Sequence, residues 1–179
     1  MDTGLLVLRV VVGLVLVGHG AQKLFGSFGG AGLSGTAGFF RSVGYWPPRL
    51  MAGFAGGAEL IGGLSLTVGF MTPLAAAAII GTMLNAGVAV HRRNGLWAVD
   101  NGYEYPLVLG AVAAGLGFTG AGAASLDAWL GIGAGGAEAG IFSVGLGLLV
   151  GAAVLVSRIA ALSEAGPAVN ASPIWKKAA

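Results

Sequence analysis

The sequence predicts an all-α integral membrane protein, and three observations support this fold class. Hydrophobic residues make up 56% of the 179 residues and charged residues only 9%, whereas an ordinary soluble domain carries about 25% charged residues. Five apolar runs approach the roughly 20 residues that a helix needs to cross a bilayer. Basic residues fall in alternate connections between these runs. We therefore expect a four-helix transmembrane bundle followed by a fifth, C-terminal transmembrane helix.

The apolar runs define the predicted helices in chain order. They cover residues 4–25, 50–70, 73–90, 105–120 and 140–156. Pro73 suits the first turn of a helix, where its missing N–H has no intrahelical partner. Only Met71 and Thr72 separate the second and third runs, which predicts a tight antiparallel hairpin. Four regions follow: a membrane core (1–120), an outer Gly/Ala-rich loop (121–138), the added helix (139–158) and a cytoplasmic tail (159–179).

The basic residues predict the orientation, because loops on the cytoplasmic side are enriched in Lys and Arg. With the N-terminus outside and the C-terminus in the cytoplasm, the outer connections contain only the acidic residues Asp127 and Glu138. The ninth basic residue, Arg9, lies inside the first helix. The other eight all fall on the cytoplasmic side: Lys23, Arg41, Arg49, Arg92, Arg93, Arg158, Lys176 and Lys177.

Aromatic residues agree with this topology. The four tryptophans flank the apolar runs, as interfacial anchors do; they are Trp46, Trp97, Trp129 and Trp175. Residues 33–47 combine several aromatics with one arginine and contain no long apolar run, so we expect an interfacial segment on the cytoplasmic face.

Several function classes find no support in the composition. The chain has no cysteine, which excludes disulfides, thiolate catalysis and iron–sulfur clusters in it. Its net charge is +2 and its basic residues are dispersed, so nucleic-acid binding is not expected. Residues 115–120 and 131–136 match the G-x-G-x-x-G pattern, but neither lies between a strand and a helix, as a dinucleotide site requires. No metal site is predicted.

Polar residues inside the apolar runs are the candidate site. An ionisable group in a membrane helix costs roughly 2.5–3.5 kcal/mol and is by default a functional candidate. The simplest pairing joins Glu59 to Arg9 or to His19, and it serves either as a structural ion pair or as a ligand or proton site. The candidate residues are Arg9, His19, Gln22, Lys23, Glu59, Asn85, Glu104 and Tyr105.

Helical phase places small residues beside these polar groups. At about 100° per residue, one stripe of the first helix carries Arg9, Gly13, Leu16, Gly20 and Lys23. Glycines spaced four apart allow close helix contact in membranes. Such contacts are considered for two pairs, Gly53 with Gly57 and Gly147 with Gly151.

Three stretches give the chain a family resemblance. They are LRVVVGLVLVGHGAQKLFGSFGG in the first helix, GGAELIGGLSLTVGFMTPLAA across the second and third, and NGYEYPLVLG before the fourth. Together they resemble the DoxX family of small bacterial membrane proteins, whose core is a four-helix bundle. The resemblance implies residence in the bacterial cytoplasmic membrane. The matching polar residues are His19, Lys23, Glu59 and Glu104.

The resemblance also implies a function. The family takes its name from a relative of a thiosulfate:quinone oxidoreductase subunit, and members occur in membrane oxidoreductase complexes. We expect an accessory subunit without a covalently held cofactor, in contact with other subunits, that binds a quinone through donors such as His19, Gln22, Lys23 and Tyr105. The alternatives are a scaffold subunit without a ligand, a small transporter, and a haem-binding helper that would use His19 and His91.

The absence of native cysteine makes the topology directly testable. A single cysteine introduced at Ser125 should react with a membrane-impermeant maleimide from outside the cell, and a reporter fused to the C-terminus should be active in the cytoplasm. Labelling of Ser125→Cys only after the membrane is opened would reverse the whole predicted orientation.

Overall fold

The computed structural model describes residues 2–164, in which helices are joined by turns and loops. The predicted tail residues Trp175, Lys176 and Lys177 lie outside the described residues. Within residues 2–164 the chain forms seven α-helices: α1 (Asp2–Phe25), α2 (Gly32–Ser42), α3 (Pro48–Val68), α4 (Thr72–Asn85), α5 (Glu104–Thr119), α6 (Leu126–Trp129) and α7 (Ala137–Glu164).

Five of these helices correspond to the predicted apolar runs. The spans that contain α1, α3, α4 and α7 are long and apolar enough to cross a membrane, at 24, 21, 23 and 27 residues. The α4 span is longer than α4 itself because the chain continues through a π-helical turn, Ala86–His91. The remaining helix, α5, has 16 residues. The all-α membrane fold is confirmed. The short helix α2 overlaps the segment predicted to be interfacial, residues 33–47.

The orientation stays a prediction, so we name the two ends of the bundle by residues. The end where α1 begins is the Arg9 end, and the end where α1 finishes is the Lys23 end. The short connection between α3 and α4, together with α6, lies at the Arg9 end. The α2 helix and the segment between the π-helical turn and α5 lie at the Lys23 end.

The α1 helix packs closely along α3. A methyl group at Gly13 would come within 3 Å of the backbone of Gly63, and one at Gly20 would meet the backbone of Gly56 and Leu60 equally closely. Later positions of α1 thus contact earlier positions of α3, so the two helices run antiparallel. Small residues let their backbones approach without a side chain between them.

The central helix is α4, which packs against α3, α5 and α7. Gly147 of α7 lies against the backbone of α4, and Gly151 lies against Gly81. In contrast, a methyl group at Gly53 or Gly57 would meet no atom of another described element within 4 Å. Of the two glycine pairs, the one in α7 therefore makes a helix contact within the described chain.

Asp127, in the short helix α6, bonds to the start of α4. One carboxylate oxygen accepts a hydrogen bond from the Met71 amide at 2.7 Å. The other accepts from the Thr72 amide at 3.1 Å and from the Thr72 hydroxyl at 2.8 Å. The first amides of a helix have no intrahelical acceptor, and the helix dipole favours a negative charge there. Asp127 is 2% exposed, so it acts as a buried cap.

Arg9 lies behind this cap and joins three elements. Its guanidinium donates to the carbonyl of Thr67 in α3 at 3.5 Å and to the carbonyl of Ala124 in the loop before α6. Arg9 is 1% exposed, so its charge is buried at this junction. The loop before α6 is therefore held to α1 and α3 at the Arg9 end.

Replacing Asp127 by alanine should lower the thermal unfolding temperature of the purified protein. Loss of a helix cap costs about 0.5–2 kcal/mol, and this change also removes a buried negative charge from the Arg9 end of the bundle. Circular dichroism in mild detergent measures the shift. The matched control is Glu138→Ala, which removes an exposed acid from the first turn of α7. Equal unfolding temperatures for the two variants would contradict the capping role.

Candidate functional site

A lysine–glutamate pair lies between α1 and α3. The Lys23 ammonium donates to the Glu59 carboxylate at 2.5 Å, and the two side chains are 27% and 5% exposed. Charge-assisted bonds of this kind are roughly twice as strong as neutral ones. The pair therefore places one charged, proton-bearing bond in a largely apolar region of the bundle.

The expected pairing of Glu59 with Arg9 or His19 was wrong, because Glu59 bonds to Lys23 instead. Arg9 donates to backbone carbonyls, and His19 contacts Tyr105. Side chains lean toward the N-terminus of their own helix, and α1 and α3 run antiparallel. Arg9 consequently leans toward the Arg9 end and Glu59 toward the Lys23 end, so the two diverge. Lys23 leans toward the Arg9 end and Glu59 toward the Lys23 end, so these two side chains point toward each other. Helical phase had placed both cations on one stripe but could not distinguish between them.

His19 and Tyr105 form a second polar contact. The His19 Nε2 atom lies 3.1 Å from the Tyr105 hydroxyl, and the ring centroids are 5.7 Å apart. His19 is half-buried and Tyr105 is 44% exposed. This hydrogen bond connects α1 with the first turn of α5. His19 also precedes Lys23 by four residues, so the two side chains leave the same face of α1 one turn apart.

A large cleft opens beside the Lys23–Glu59 pair. It has a volume of about 920 Å³ and is floored by α4, with α3 and α7 as its walls. Along α4 it extends from Leu74 to Asn85, which corresponds to roughly 17 Å of helix. Its walls toward the Arg9 end are apolar, and they include Leu74, Ala77, Ala78, Leu146 and Val150.

The polar groups of the cleft gather at its Lys23 end. Besides Lys23 and Glu59, this end contains Tyr45, Asn85 and His91. The Tyr45 hydroxyl donates to the Asn85 side-chain oxygen at 2.8 Å. Burial raises the pKa of Tyr45 to about 12, although nearby Arg158 acts to lower it. The Tyr45 hydroxyl therefore remains a donor at physiological pH.

Asn85 holds the floor of the cleft to its α7 wall. Its amide nitrogen donates to the carbonyl of Gly81, within α4, at 2.9 Å and to that of Gly151, in α7, at 3.0 Å. Immediately after Asn85 the helix widens into the π-helical turn that ends at His91. The His91 Nδ1 atom lies 2.8 Å from the carbonyl oxygen of Asn101, which closes this side of the cleft.

The remaining predicted residues serve local structure. The Gln22 amide donates to the Phe28 carbonyl at 3.3 Å, and the Glu104 carboxylate accepts from the Ala98 amide at 2.8 Å. The cleft is not lined by these two residues, nor is it lined by His19 or Tyr105. Sequence reasoning missed Tyr45, whose aromatic neighbours in residues 33–47 indicated an interfacial anchor rather than a cleft wall.

Comparisons with known proteins give two findings. The sequence profile of the family DoxX matches residues 4–92. A Bacillus subtilis protein named "Putative oxidoreductase CatD" is 33% identical over 89 residues, which cover 50% of this chain and 60% of that protein. No solved structure shows significant similarity to the chain. The chain thus matches less than two thirds of the length of this relative.

The Lys23–Glu59 bond should appear in a double-mutant cycle. Glu59→Gln leaves Lys23 facing apolar surroundings without a counter-charge, so it should lower the free energy of unfolding by about 1–3 kcal/mol. Adding Lys23→Met removes the unpaired charge and should restore most of the loss. Denaturant unfolding in mixed micelles measures each variant. Additive losses in the double variant would show that the pair has no coupling energy.

Proposed function

Because the chain belongs to the DoxX family through residues 4–92, we propose that it is the membrane subunit of an oxidoreductase complex and binds a quinone in its cleft. A link to oxidoreductase function is supported by the family and by the Bacillus subtilis relative, whose name includes the word oxidoreductase. The choice of a quinone as the ligand is based on the chemistry of the cleft. The observation that carries it is an apolar cleft of about 920 Å³ whose polar end is bordered by an ion pair between the half-buried Lys23 and the buried Glu59.

A quinone has an apolar ring and tail and two carbonyl oxygens that accept hydrogen bonds. Ligand pockets are typically about 300–1,000 Å³ and mostly apolar, with a few polar groups that fix orientation. The cleft fits this description, since its apolar walls suit the tail and its donors gather at one end. Lys23 offers an ammonium group within reach of the cleft, and Tyr45 and His91 lie at the same end.

The arrangement suggests how the ligand would lie. The ring would occupy the Lys23 end, where Lys23 donates to one carbonyl oxygen. The tail would follow α4 toward the Arg9 end, between Ala78 and Val150. Because α7 supplies one wall, we propose that this helix, which follows the DoxX-like core of residues 1–120, completes the binding site.

The chain would work with partner subunits. It has no cysteine and only two histidines, so the electrons that a bound quinone receives would come from a redox centre on another protein. In the proposed orientation, within the bacterial cytoplasmic membrane, the Lys23 end faces the cytoplasm. A soluble redox partner would then approach from the cytoplasmic side.

Quinone binding is directly measurable. We expect the protein in nanodiscs to bind a short-chain naphthoquinone, detected by quenching of tryptophan fluorescence. Lys23→Met should weaken binding by about tenfold, because it removes a charged donor worth about 1.5–3 kcal/mol. Val150→Trp should weaken binding by filling the cleft. Native extraction followed by mass spectrometry should recover quinone with the wild-type protein.

The matched control is Arg49→Met, which removes an exposed cation at the same end of the bundle but outside the cleft. Its affinity should equal that of the wild type. Equal binding by Lys23→Met and Arg49→Met would contradict the proposed site. A wild-type protein that copurifies with a partner but binds no quinone would favour a scaffold subunit instead.

A further inference from the structure

We propose that the cleft binds the reduced, hydroxyl-bearing form of its ligand, the quinol, more tightly than the quinone. The inference rests on the proposed quinone site and concerns its choice between the two redox forms. A quinone presents two carbonyl oxygens, which can only accept hydrogen bonds, whereas the hydroxyl groups of a quinol can donate as well as accept. The preference therefore depends on whether the polar end of the cleft offers the ligand protons or lone pairs.

The orientation of the Asn85 amide is fixed by its neighbours. Its nitrogen lies 2.9 Å from the Gly81 carbonyl oxygen and 3.0 Å from that of Gly151. A carbonyl oxygen only accepts hydrogen bonds, so the amide nitrogen, with its two protons, belongs on this side. The reversed amide would place its own oxygen against both carbonyl oxygens. The Asn85 side-chain oxygen consequently faces the Tyr45 hydroxyl, at 2.8 Å.

This orientation decides what Tyr45 can offer to a ligand. A tyrosine hydroxyl has a single proton, and its oxygen can also accept a hydrogen bond. Because the Asn85 side-chain oxygen can only accept, Tyr45 donates its one proton to it. Both residues line the cleft, so the bond between them belongs to the cleft wall. Toward a ligand, the Tyr45 oxygen therefore presents a lone pair and acts as an acceptor.

Lys23 has the opposite hydrogen-bonding character. Its ammonium has three N–H donors and no acceptor, and one of these donors is directed to Glu59. The remaining donors can bind an oxygen of the quinone or of the quinol. Lys23 thus contributes affinity for both redox forms, and the discrimination between them falls to Tyr45.

Only the quinol can pair with the Tyr45 lone pair. A quinol hydroxyl donates to it, whereas a quinone oxygen would meet it lone pair to lone pair. If the Tyr45 proton turned to the quinone instead, the Asn85 oxygen would lose its partner. Either arrangement leaves one acceptor of the cleft wall unpaired, and Tyr45 is only 4% exposed. An unpaired group of this kind corresponds to a factor of about ten in affinity.

The test compares the two redox forms of one ligand on the full chain in nanodiscs. Affinities for a short-chain naphthoquinone and for the corresponding naphthoquinol are measured without oxygen by quenching of tryptophan fluorescence. We expect the quinol to bind about tenfold more tightly. Tighter binding of the reduced form raises the midpoint potential, so a redox titration of the bound ligand should give a value about 30 mV above that in protein-free nanodiscs.

Two variants locate the preference. Tyr45→Phe removes the lone pair, so the quinol affinity should fall about tenfold while the quinone affinity stays unchanged. Asn85→Leu removes the oxygen that holds the Tyr45 proton and leaves that proton free for a quinone carbonyl, so the preference should disappear or reverse. The matched control is Tyr103→Phe, which removes a hydroxyl outside the cleft and should keep the wild-type preference.

The outcomes separate this inference from the proposed function. A wild-type protein that binds neither redox form would overturn both. A wild-type protein that binds quinone and quinol equally well would retain the quinone site and overturn the preference alone. Equal weakening of both ligands by Tyr45→Phe would also overturn it, because Tyr45 would then shape the cleft without selecting the redox form. If Asn85→Leu does not fold, the comparison of the two ligands on Tyr45→Phe still decides the question.

Discussion

The close antiparallel contact between α1 and α3 determines where the charges of this protein lie. Glycines at Gly13, Gly20 and Gly63 allow the two backbones to meet. Because side chains lean toward the start of their own helix, the contact separates Arg9 from Glu59 and brings Lys23 to Glu59. Lys23 thereby becomes the partner of Glu59, and Arg9 bonds to backbone carbonyls at the other end of α1.

The two ends of the bundle use their charges differently. At the Arg9 end, Asp127 caps α4 and Arg9 bonds to backbone carbonyls, so both charges are fully buried and hold loops in place. At the Lys23 end, the Lys23–Glu59 pair borders a cleft, and Tyr45, Asn85 and His91 add donors and acceptors around it. The first arrangement is a structural anchor, and the second leaves a proton-bearing bond accessible to a ligand.

The cleft exists because α4 is covered incompletely. The α3 and α7 helices pack on α4 from different directions and leave part of its surface between them. Gly147 and Gly151 allow α7 to pack closely on α4. The Asn85 side-chain amide stabilises this contact by donating a hydrogen bond to the Gly151 carbonyl. Since the family match ends at residue 92, the α7 wall belongs to the part of the chain outside that match.

The sequence by itself determined the membrane-helical fold, the helix positions and the buried stripe of α1, because hydropathy and helical period are local properties. It also singled out Lys23, Glu59, His19, Tyr105 and Asn85 as costly polar residues, since that cost depends only on their place in an apolar run. The tertiary structure alone decided which of them meet. Pairing depends on how two packed helices are aligned along their axes and on the direction in which their side chains point. The cleft depends on a gap between three helices. No single segment of the sequence specifies either feature.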